Sequence, residues 1–272
     1  MHPKNCLSQR RTLLKILPPP IAKPPWSKLG KKLESAVRKA IYDFNLLEDQ
    51  SEIAIALSGG KDSLTLLYLL HAISRGGFAP FKLTALHVTG AFSCGANLEN
   101  TLLKGICQEL NIELHSLKAE QTLKNLECYS CSRERRSLIF KAANRLKIKT
   151  IAFGHHRDDH AQTILMNLFH KGEFAGMLPK IKMVNYGITI IRPLIYVDEA
   201  QIKEFAAKYK FARITCQCPV GKNSMRKQTD QLLTQLEALY PNVRANVSRA
   251  ALLYGSDKSQ KVNCEKRENG AS

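Results

Sequence analysis

A glycine-containing loop between two apolar segments constrains the fold of this chain more than any other feature of its sequence. Residues 53–57 form a short apolar run that predicts a buried strand, and residues 64–75 have the apolar spacing of a helix. Glycine lets backbone N–H groups approach an anion closely, and the first turn of a helix adds unpaired donors and a positive dipole end. This order of strand, loop and helix predicts a phosphate-binding site formed by Ser58, Gly59, Gly60, Lys61, Asp62 and Ser63.

Strand and helix patterns continue to alternate beyond the loop. Further strands are predicted at 83–88, 112–117 and 150–153, and further helices at 98–110, 133–146 and 158–169. Strands separated by helical segments of about 10 to 15 residues are typical of a parallel sheet. The predicted fold class is therefore α/β, with a Rossmann-like parallel sheet and helices on both faces. After Gly172 the pattern predicts a hairpin at 185–187, a strand at 188–195 and helices at 198–210, 226–239 and 241–253.

The chain divides into four predicted parts. Residues 1–50 form a basic, Pro-rich arm followed by an N-terminal helix at 28–45, and residues 51–215 form the α/β domain. Residues 216–254 form a helical C-terminal region. Residues 255–272 are polar, which predicts a disordered tail.

The charge of the chain bears on its partners and its location. Lys and Arg number 41 against 23 Asp and Glu, and eight of the basic residues precede Glu34, the first acidic one. Such clustering favours a nucleic-acid partner, although a solvated basic arm is the alternative. No apolar run reaches the roughly 20 residues needed to span a bilayer, and the N-terminus lacks a secretory signal. We therefore expect a cytoplasmic protein with no membrane partner.

A second polar segment follows the strand predicted at 150–153. It reads Gly154-His155-His156-Arg157-Asp158-Asp159 and opens the helix predicted at 158–169. Because the carboxyl ends of parallel strands meet at one edge of a sheet, this segment is expected near the phosphate loop. We predict that Gly154, His155 and Asp158 contact the nucleotide, that Asp62 and Asp159 are catalytic, and that carboxylates there bind Mg²⁺. The alternative is that the two aspartates only cap the helix.

Four of the eight cysteines occur in two closely spaced pairs. The spacing of Cys128 and Cys131 allows both thiolates to bind one metal centre, and a later pair is formed by Cys216 and Cys218. From spacing alone, a four-thiolate zinc site, an iron–sulfur cluster, a redox pair and inert thiols all remain alternatives. His87, at the end of a predicted strand, is interpreted as structural.

Several of these strings resemble a known family. The loop at 58–63 is similar to that of the pyrophosphate-loop ATPases. The string Cys128-Tyr-Ser-Cys-Ser-Arg-Glu-Arg-Arg136 resembles the Cys-x-x-Cys-Ser-Arg-x-Arg-Arg of the tRNA 2-thiocytidine synthetases within that group. Gln162-Thr163, Met177-Leu-Pro-Lys180 and Ile191-Arg-Pro-Leu-Ile-Tyr196 are also similar to that family, and the matches are colinear from 53 to 228. The segment at 86–95 departs from the family pattern.

The resemblance implies a complete activity. ATP would be split to AMP and pyrophosphate while the 2-oxygen of a cytidine, at position 32 of the tRNA anticodon loop, is adenylated. Sulfur would then replace that oxygen through a [4Fe–4S] cluster held by the catalytic Cys128 and Cys131 and by Cys216, with Cys218 as the alternative third ligand. The implied partners are tRNA and a sulfur donor such as a cysteine desulfurase, and a homodimer remains open. The alternatives are a lysidine synthetase-like adenylating enzyme and a non-catalytic zinc- or RNA-binding protein.

Overall fold

The computed structural model describes residues 18–48, 51–77, 80–90, 96–119, 128–211 and 225–255, with the backbone alone for 96–99 and 128–131. The predicted third ligand, Cys216 or Cys218, lies outside the described residues. So do the first seventeen residues of the predicted arm and the predicted tail beyond Gly255.

Six strands and eight α-helices lie within the described part of the chain. The strands are β1 (Glu52–Ala56), β2 (Lys82–Thr89), β3 (Glu113–Lys118), β4 (Thr150–Ala152), β5 (Lys180–Met183) and β6 (Ile188–Ile191). The helices are α1 (Lys28–Asp43), α2 (Lys61–Ile73), α3 (Ala96–Glu109), α4 (Cys128–Arg145), α5 (Arg157–Lys171), α6 (Glu199–Lys208), α7 (Met225–Leu239) and α8 (Val243–Tyr254). A 3₁₀ turn at Val184–Tyr186 joins β5 to β6.

The strands form one sheet in the order β3–β2–β1–β4–β6–β5. Every neighbouring pair is parallel except β5 and β6, which form the predicted hairpin at one edge. Ile55 of β1 is paired with Ala85 on one side and Ala152 on the other. The strand predicted at 188–195 ends at Ile191, because Pro193 has no N–H to donate and the following residues form turns. The predicted α/β fold is confirmed, with an antiparallel edge strand added.

Alternate residues of β1 pack against helices on opposite faces of the sheet. Ile53 and Ile55 belong to a buried cluster that also contains side chains of α1, α2, α3 and α6. Ala54 and Ala56 belong to a second cluster, which contains Phe140 of α4. The predicted placement of helices on both faces is therefore confirmed.

The helical C-terminal region packs against α5. Leu165 of α5 and Leu233 of α7 are buried together, and Val247 of α8 packs against them. Because α5 starts at the end of β4, this packing brings α7 and α8 to the same side of the molecule as the polar segment 154–159. The predicted boundaries between the four parts of the chain remain predictions.

The described part of the N-terminal arm lies against the core. Residues 18–27 have no regular secondary structure, yet Ala22 and Trp26 are buried. The hydroxyl of Tyr68, in α2, donates a hydrogen bond to the carbonyl of Pro20. No helix in the described ranges is long and apolar enough to cross a membrane.

Candidate active site

The phosphate loop connects β1 to α2 in a compact turn. Gly59 has φ 81°, a left-handed conformation that favours glycine. Gly60 is the N-cap of α2 and provides no side chain to cap the first helical amides. The Ser58 hydroxyl accepts from the Gly60 amide at 3.3 Å and lies 3.0 Å from the Ser63 hydroxyl, which donates to the Gly60 carbonyl at 3.0 Å. Helix α2 thus begins at Lys61, earlier than predicted, so the lysine and Asp62 lie in its first turn.

Gly154 brings the end of β4 into contact with this loop. A Cβ atom on Gly154 would lie 3.0 Å from the carbonyl carbon of Asp62 and 3.0 Å from the amide nitrogen of Ser63. Both are backbone atoms that cannot move aside independently. The predicted proximity of the two segments is therefore present in the structure, and the absence of a side chain at 154 permits it.

His156 is the side chain that links the two segments. Its Nδ1 accepts from the Asp159 amide at 3.4 Å, and its own amide donates to Asp159 Oδ2 at 3.2 Å, forming a capping box at the start of α5. Because Nδ1 accepts, the ring proton resides on Nε2 in the neutral form. Nε2 lies 3.7 Å from Asp62 Oδ1 and 3.4 Å from Asp159 Oδ2.

His155, and not His156, was predicted from the sequence to contact the nucleotide. The available signal was a polar residue at the helix start with an acid three positions later, which is the spacing of a capping box. His156 is 4% exposed, and its Nε2 lies near both of the aspartates that were predicted to be catalytic.

Helix α7 also reaches this site. The Arg226 guanidinium lies 3.1 Å from Asp159 Oδ1, on the side of the carboxylate away from His156. Further along, Gln162 of α5 donates to Asp230 of α7 at 2.8 Å. Helix α7 therefore contacts the carboxylate of Asp159 through Arg226, a contribution that local sequence patterns did not indicate.

Asp158 has a different environment from Asp159. Its Oδ2 accepts from the amide of Glu199 at 2.6 Å, at the start of α6. Asp158 is a buried residue, 6% exposed. Asp158 therefore accepts from the first amide of α6, whose N-cap is Asp198, whereas the alternative from sequence was a cap on its own helix. Its predicted contact with a nucleotide remains a prediction.

Lys61 forms ion pairs with two carboxylates. Its Nζ lies 3.1 Å from Asp62 Oδ1 and 3.0 Å from Glu199 Oε1, and Glu199 Oε2 accepts from Lys203 at 2.9 Å. Burial opposes ionisation of Glu199, but the hydrogen bonds from Lys203 and Lys61 prevail and lower its pKa to about 2. Burial likewise opposes the charge on Lys61, yet Asp62 and Glu199 raise the pKa of its ammonium. Glu199 was not among the predicted site residues.

His155 lies in a cationic environment beside the site. Burial and the charge of Arg192 lower its pKa to about 3, so its imidazole is neutral near neutral pH. Its ring stacks on Phe153 with centroids 5.7 Å apart. Arg192 donates to the carbonyl of Leu178. This bond joins the segments 177–180 and 191–196, which were recognised separately in the sequence. Burial lowers the pKa of Arg192 to about 10.

His87 has the structural role that was expected of it. Its Nδ1 donates to the carbonyl of Leu57 at 2.7 Å, which fixes the end of β1 just before the phosphate loop. The residue is 2% exposed, and burial lowers the pKa of its imidazole.

The predicted cysteine ligands lie partly within the described chain. Cys128 and Cys131 are in the first turn of α4, which begins five residues earlier than predicted. Positions three apart lie on the same side of a helix, so the backbone is compatible with two thiolates at one centre. Among the residues whose side chains are described, no group of three His, Cys, Asp or Glu could hold a metal ion.

The donor set of the loop fits a nucleotide polyphosphate. Two hydroxyls, an ammonium and the uncapped amides of α2 surround one turn, and Asp62 and Asp159 provide the oxygen ligands that Mg²⁺ prefers.

Comparisons with known proteins identify the family of this chain. Residues 28–215 match the PP-loop domain family. The tRNA-cytidine(32) 2-sulfurtransferase of Geobacter sulfurreducens is 33% identical over 81% of this chain and 88% of its own. The tRNA-cytidine(32) 2-sulfurtransferase of Xanthomonas euvesicatoria is 34% identical over 82% of this chain and 75% of its own. The solved U34-tRNA thiolase NcsA of Methanococcus maripaludis, with its [4Fe–4S] cluster, has the same fold, with a TM-score of 0.69, 24% identity and coverage of 82% and 78%. The chain is therefore an enzyme of the PP-loop family, in the branch that contains the tRNA-cytidine 2-sulfurtransferases.

Proposed function

We propose that this enzyme thiolates a tRNA cytidine at position 32 by adenylating its 2-oxygen and replacing that oxygen with sulfur. The observation that supports this most directly is the junction of the phosphate loop with the segment 154–159. There, His156 lies between Asp62 and Asp159 in a chain whose relatives are 2-sulfurtransferases.

The first step uses ATP bound at the loop. The β- and γ-phosphates contact the Ser58 and Ser63 hydroxyls, the Gly60 amide and Lys61. The cytosine 2-oxygen attacks the α-phosphate, so a new P–O bond forms while the bond to pyrophosphate breaks. Asp62 and Asp159 would hold Mg²⁺, which would offset the charge of the polyphosphate. His156 Nε2, near Asp62 Oδ1 and Asp159 Oδ2, offsets part of the repulsion between the two carboxylates.

The second step replaces the activated oxygen. Adenylation is needed because an unmodified carbonyl oxygen is a poor leaving group. Cys128, Cys131 and Cys216, or Cys218 in its place, would hold a [4Fe–4S] cluster, which would supply the sulfur to be transferred. At C2 of the base a C–S bond forms, the C–O bond breaks and AMP leaves with the oxygen. A sulfur donor such as a cysteine desulfurase, together with a two-electron reductant, restores the sulfur, because persulfide sulfur must be reduced to the level of sulfide.

Helix α4 connects the cysteines to a basic surface. It begins at Cys128 and continues through Arg133 and Arg136, which are exposed. We infer that these arginines, with the basic arm, contact tRNA phosphates, so binding weakens steeply as salt is raised. The target base would leave its stack to reach the site.

The test is the nucleoside content of tRNA from a strain that lacks this gene. We expect 2-thiocytidine to disappear in the deletion, to return with the wild-type chain, and to stay absent with Cys128→Ala. Normal 2-thiocytidine in the deletion strain would overturn the assignment. Loss of lysidine instead would indicate the lysidine synthetase-like alternative.

A second measurement separates the two parts of the proposal. An anaerobic preparation of the wild-type protein should be brown, and Cys128→Ala should remove the visible absorption while ATP still binds. A colourless protein with stoichiometric zinc would exclude the cluster.

A further inference from the structure

Glu199 occupies a position at the phosphate loop that the reaction described above does not use. Its Oε1 is 3.0 Å from Lys61 Nζ, although the two residues are far apart in sequence. Together with Asp62, it supplies carboxylate oxygens to an ammonium that has three N–H donors. A phosphate oxygen that binds Lys61 therefore shares the ammonium with these carboxylates and competes with them for its charge.

The backbone of Glu199 is fixed rather than merely adjacent. Asp158 Oδ2 accepts from the Glu199 amide at 2.6 Å, and the Arg157 amide donates to the Val197 carbonyl at 2.9 Å. Both contacts attach the start of α6 to the segment that follows β4. The backbone of Glu199 is therefore held beside the phosphate loop by contacts that do not involve Lys61.

Lys203 shares the carboxylate of Glu199. It donates to Oε2 at 2.9 Å from one turn further along α6. This contact offsets part of the negative charge of Glu199 and limits how strongly that carboxylate holds Lys61. The three side chains Lys61, Glu199 and Lys203 form a short chain of alternating charge, which we call the lysine relay.

We infer that Glu199 is a positioning residue that competes with phosphate for Lys61, so that it weakens the binding of ATP and promotes the release of pyrophosphate. The inference rests on the proposed function, in which Lys61 contacts the β- and γ-phosphates. When ATP binds, Lys61 exchanges the Glu199 oxygen for a phosphate oxygen. After cleavage, Glu199 recovers Lys61 and the pyrophosphate loses its contact with the ammonium.

Two substitutions in the lysine relay should act in opposite directions. Glu199→Gln removes the competitor, so the full-length protein should bind MgATP and inorganic pyrophosphate about two- to fivefold more tightly, the range expected for a partly exposed ion pair. With Lys203→Met, Glu199 pairs with Lys61 alone and holds it more strongly. MgATP and pyrophosphate should then both bind more weakly by a similar factor. Titration calorimetry measures both affinities.

Two matched controls on α6 separate this effect from a general change of charge. Glu204→Gln and Lys208→Met alter the same charges at exposed positions of the same helix, and neither should change either affinity by a measurable factor. Steady-state kinetics adds a second readout. With Glu199→Gln, the KM for ATP should fall and inhibition by added pyrophosphate should become stronger.

Unchanged or weaker affinity in Glu199→Gln, with wild-type protein that binds MgATP, would overturn this inference and leave the proposed function intact. Equal effects of Glu204→Gln and Glu199→Gln would overturn it as well, because the charge and not the contact would then be responsible. Wild-type protein that binds neither MgATP nor pyrophosphate would instead overturn the proposed function.

Discussion

Gly154 lies so close to the first turn of α2 that a Cβ atom on it would be 3.0 Å from the carbonyl carbon of Asp62. This contact joins the end of β4 to the phosphate loop through backbone atoms alone. We expect Gly154→Ala to lower the free energy of unfolding by about 1–3 kcal/mol, because neither backbone can move without disturbing the sheet. It should also weaken ATP binding, because the loop shifts. Urea unfolding and calorimetry measure the two effects.

Gly76 provides the matched control for that substitution. Nothing lies within 4 Å of a Cβ atom placed there. Gly76→Ala should therefore change the free energy of unfolding by no more than about 0.5 kcal/mol. A Gly154→Ala protein as stable as Gly76→Ala would show that the contact can relax without cost.

Substitution of His156 separates its role as a helix cap from its role between the aspartates. His156→Ala removes the capping acceptor and should cost about 1 kcal/mol of stability. His156→Asn retains an acceptor for the Asp159 amide but has no N–H that extends to both carboxylates. We expect it to recover the stability while 2-thiocytidine formation stays about 10- to 100-fold below wild type, since misplaced groups lower turnover. Recovery of both quantities would mean that His156 only caps α5.

Substitution of Asp158 tests whether it acts on α6 or on the nucleotide. Asp158→Ala leaves the Glu199 amide without its partner, so the free energy of unfolding without nucleotide should fall by about 1–3 kcal/mol. Asp158→Asn can still accept from that amide and should recover most of the loss. If Asp158→Asn instead lowers ATP affinity sharply at unchanged stability, Asp158 contacts the nucleotide, as was predicted from its sequence position.

The ion pairs of Glu199 predict a pH dependence of stability. Burial opposes its ionisation, but Lys203 and Lys61 lower its pKa from 4.5 to about 2. Between those values the unfolded chain binds more protons than the folded one, so this contribution is present above about pH 4.5 and is lost as the pH falls toward 2. The stability difference between wild type and Glu199→Gln, measured by urea unfolding, should thus be constant above about pH 5 and shrink below it. A difference that does not change across this range would contradict the assigned ion pairs.

Local patterns in the sequence were sufficient for the main architecture. The order of apolar runs and helical spacing predicted the α/β class and the hairpin before Ile188, because burial and backbone geometry impose periods that a short window reveals. The ends of elements were less accurate. Helix α2 begins at Lys61 and α4 at Cys128, since polar residues in a first turn carry no apolar period.

The candidate site was predicted in part. Because strand ends meet at one edge of a parallel sheet, the sequence alone was enough to place Gly154 and Asp159 beside the phosphate loop. The sequence also determined the residue types in the loop, from which a phosphate-binding site was predicted. Three contacts, however, were decided by tertiary structure alone: His156 with Asp62, Arg226 with Asp159, and Glu199 with Lys61. Each joins residues far apart in the chain, and a local apolar period does not indicate which helix ends pack together.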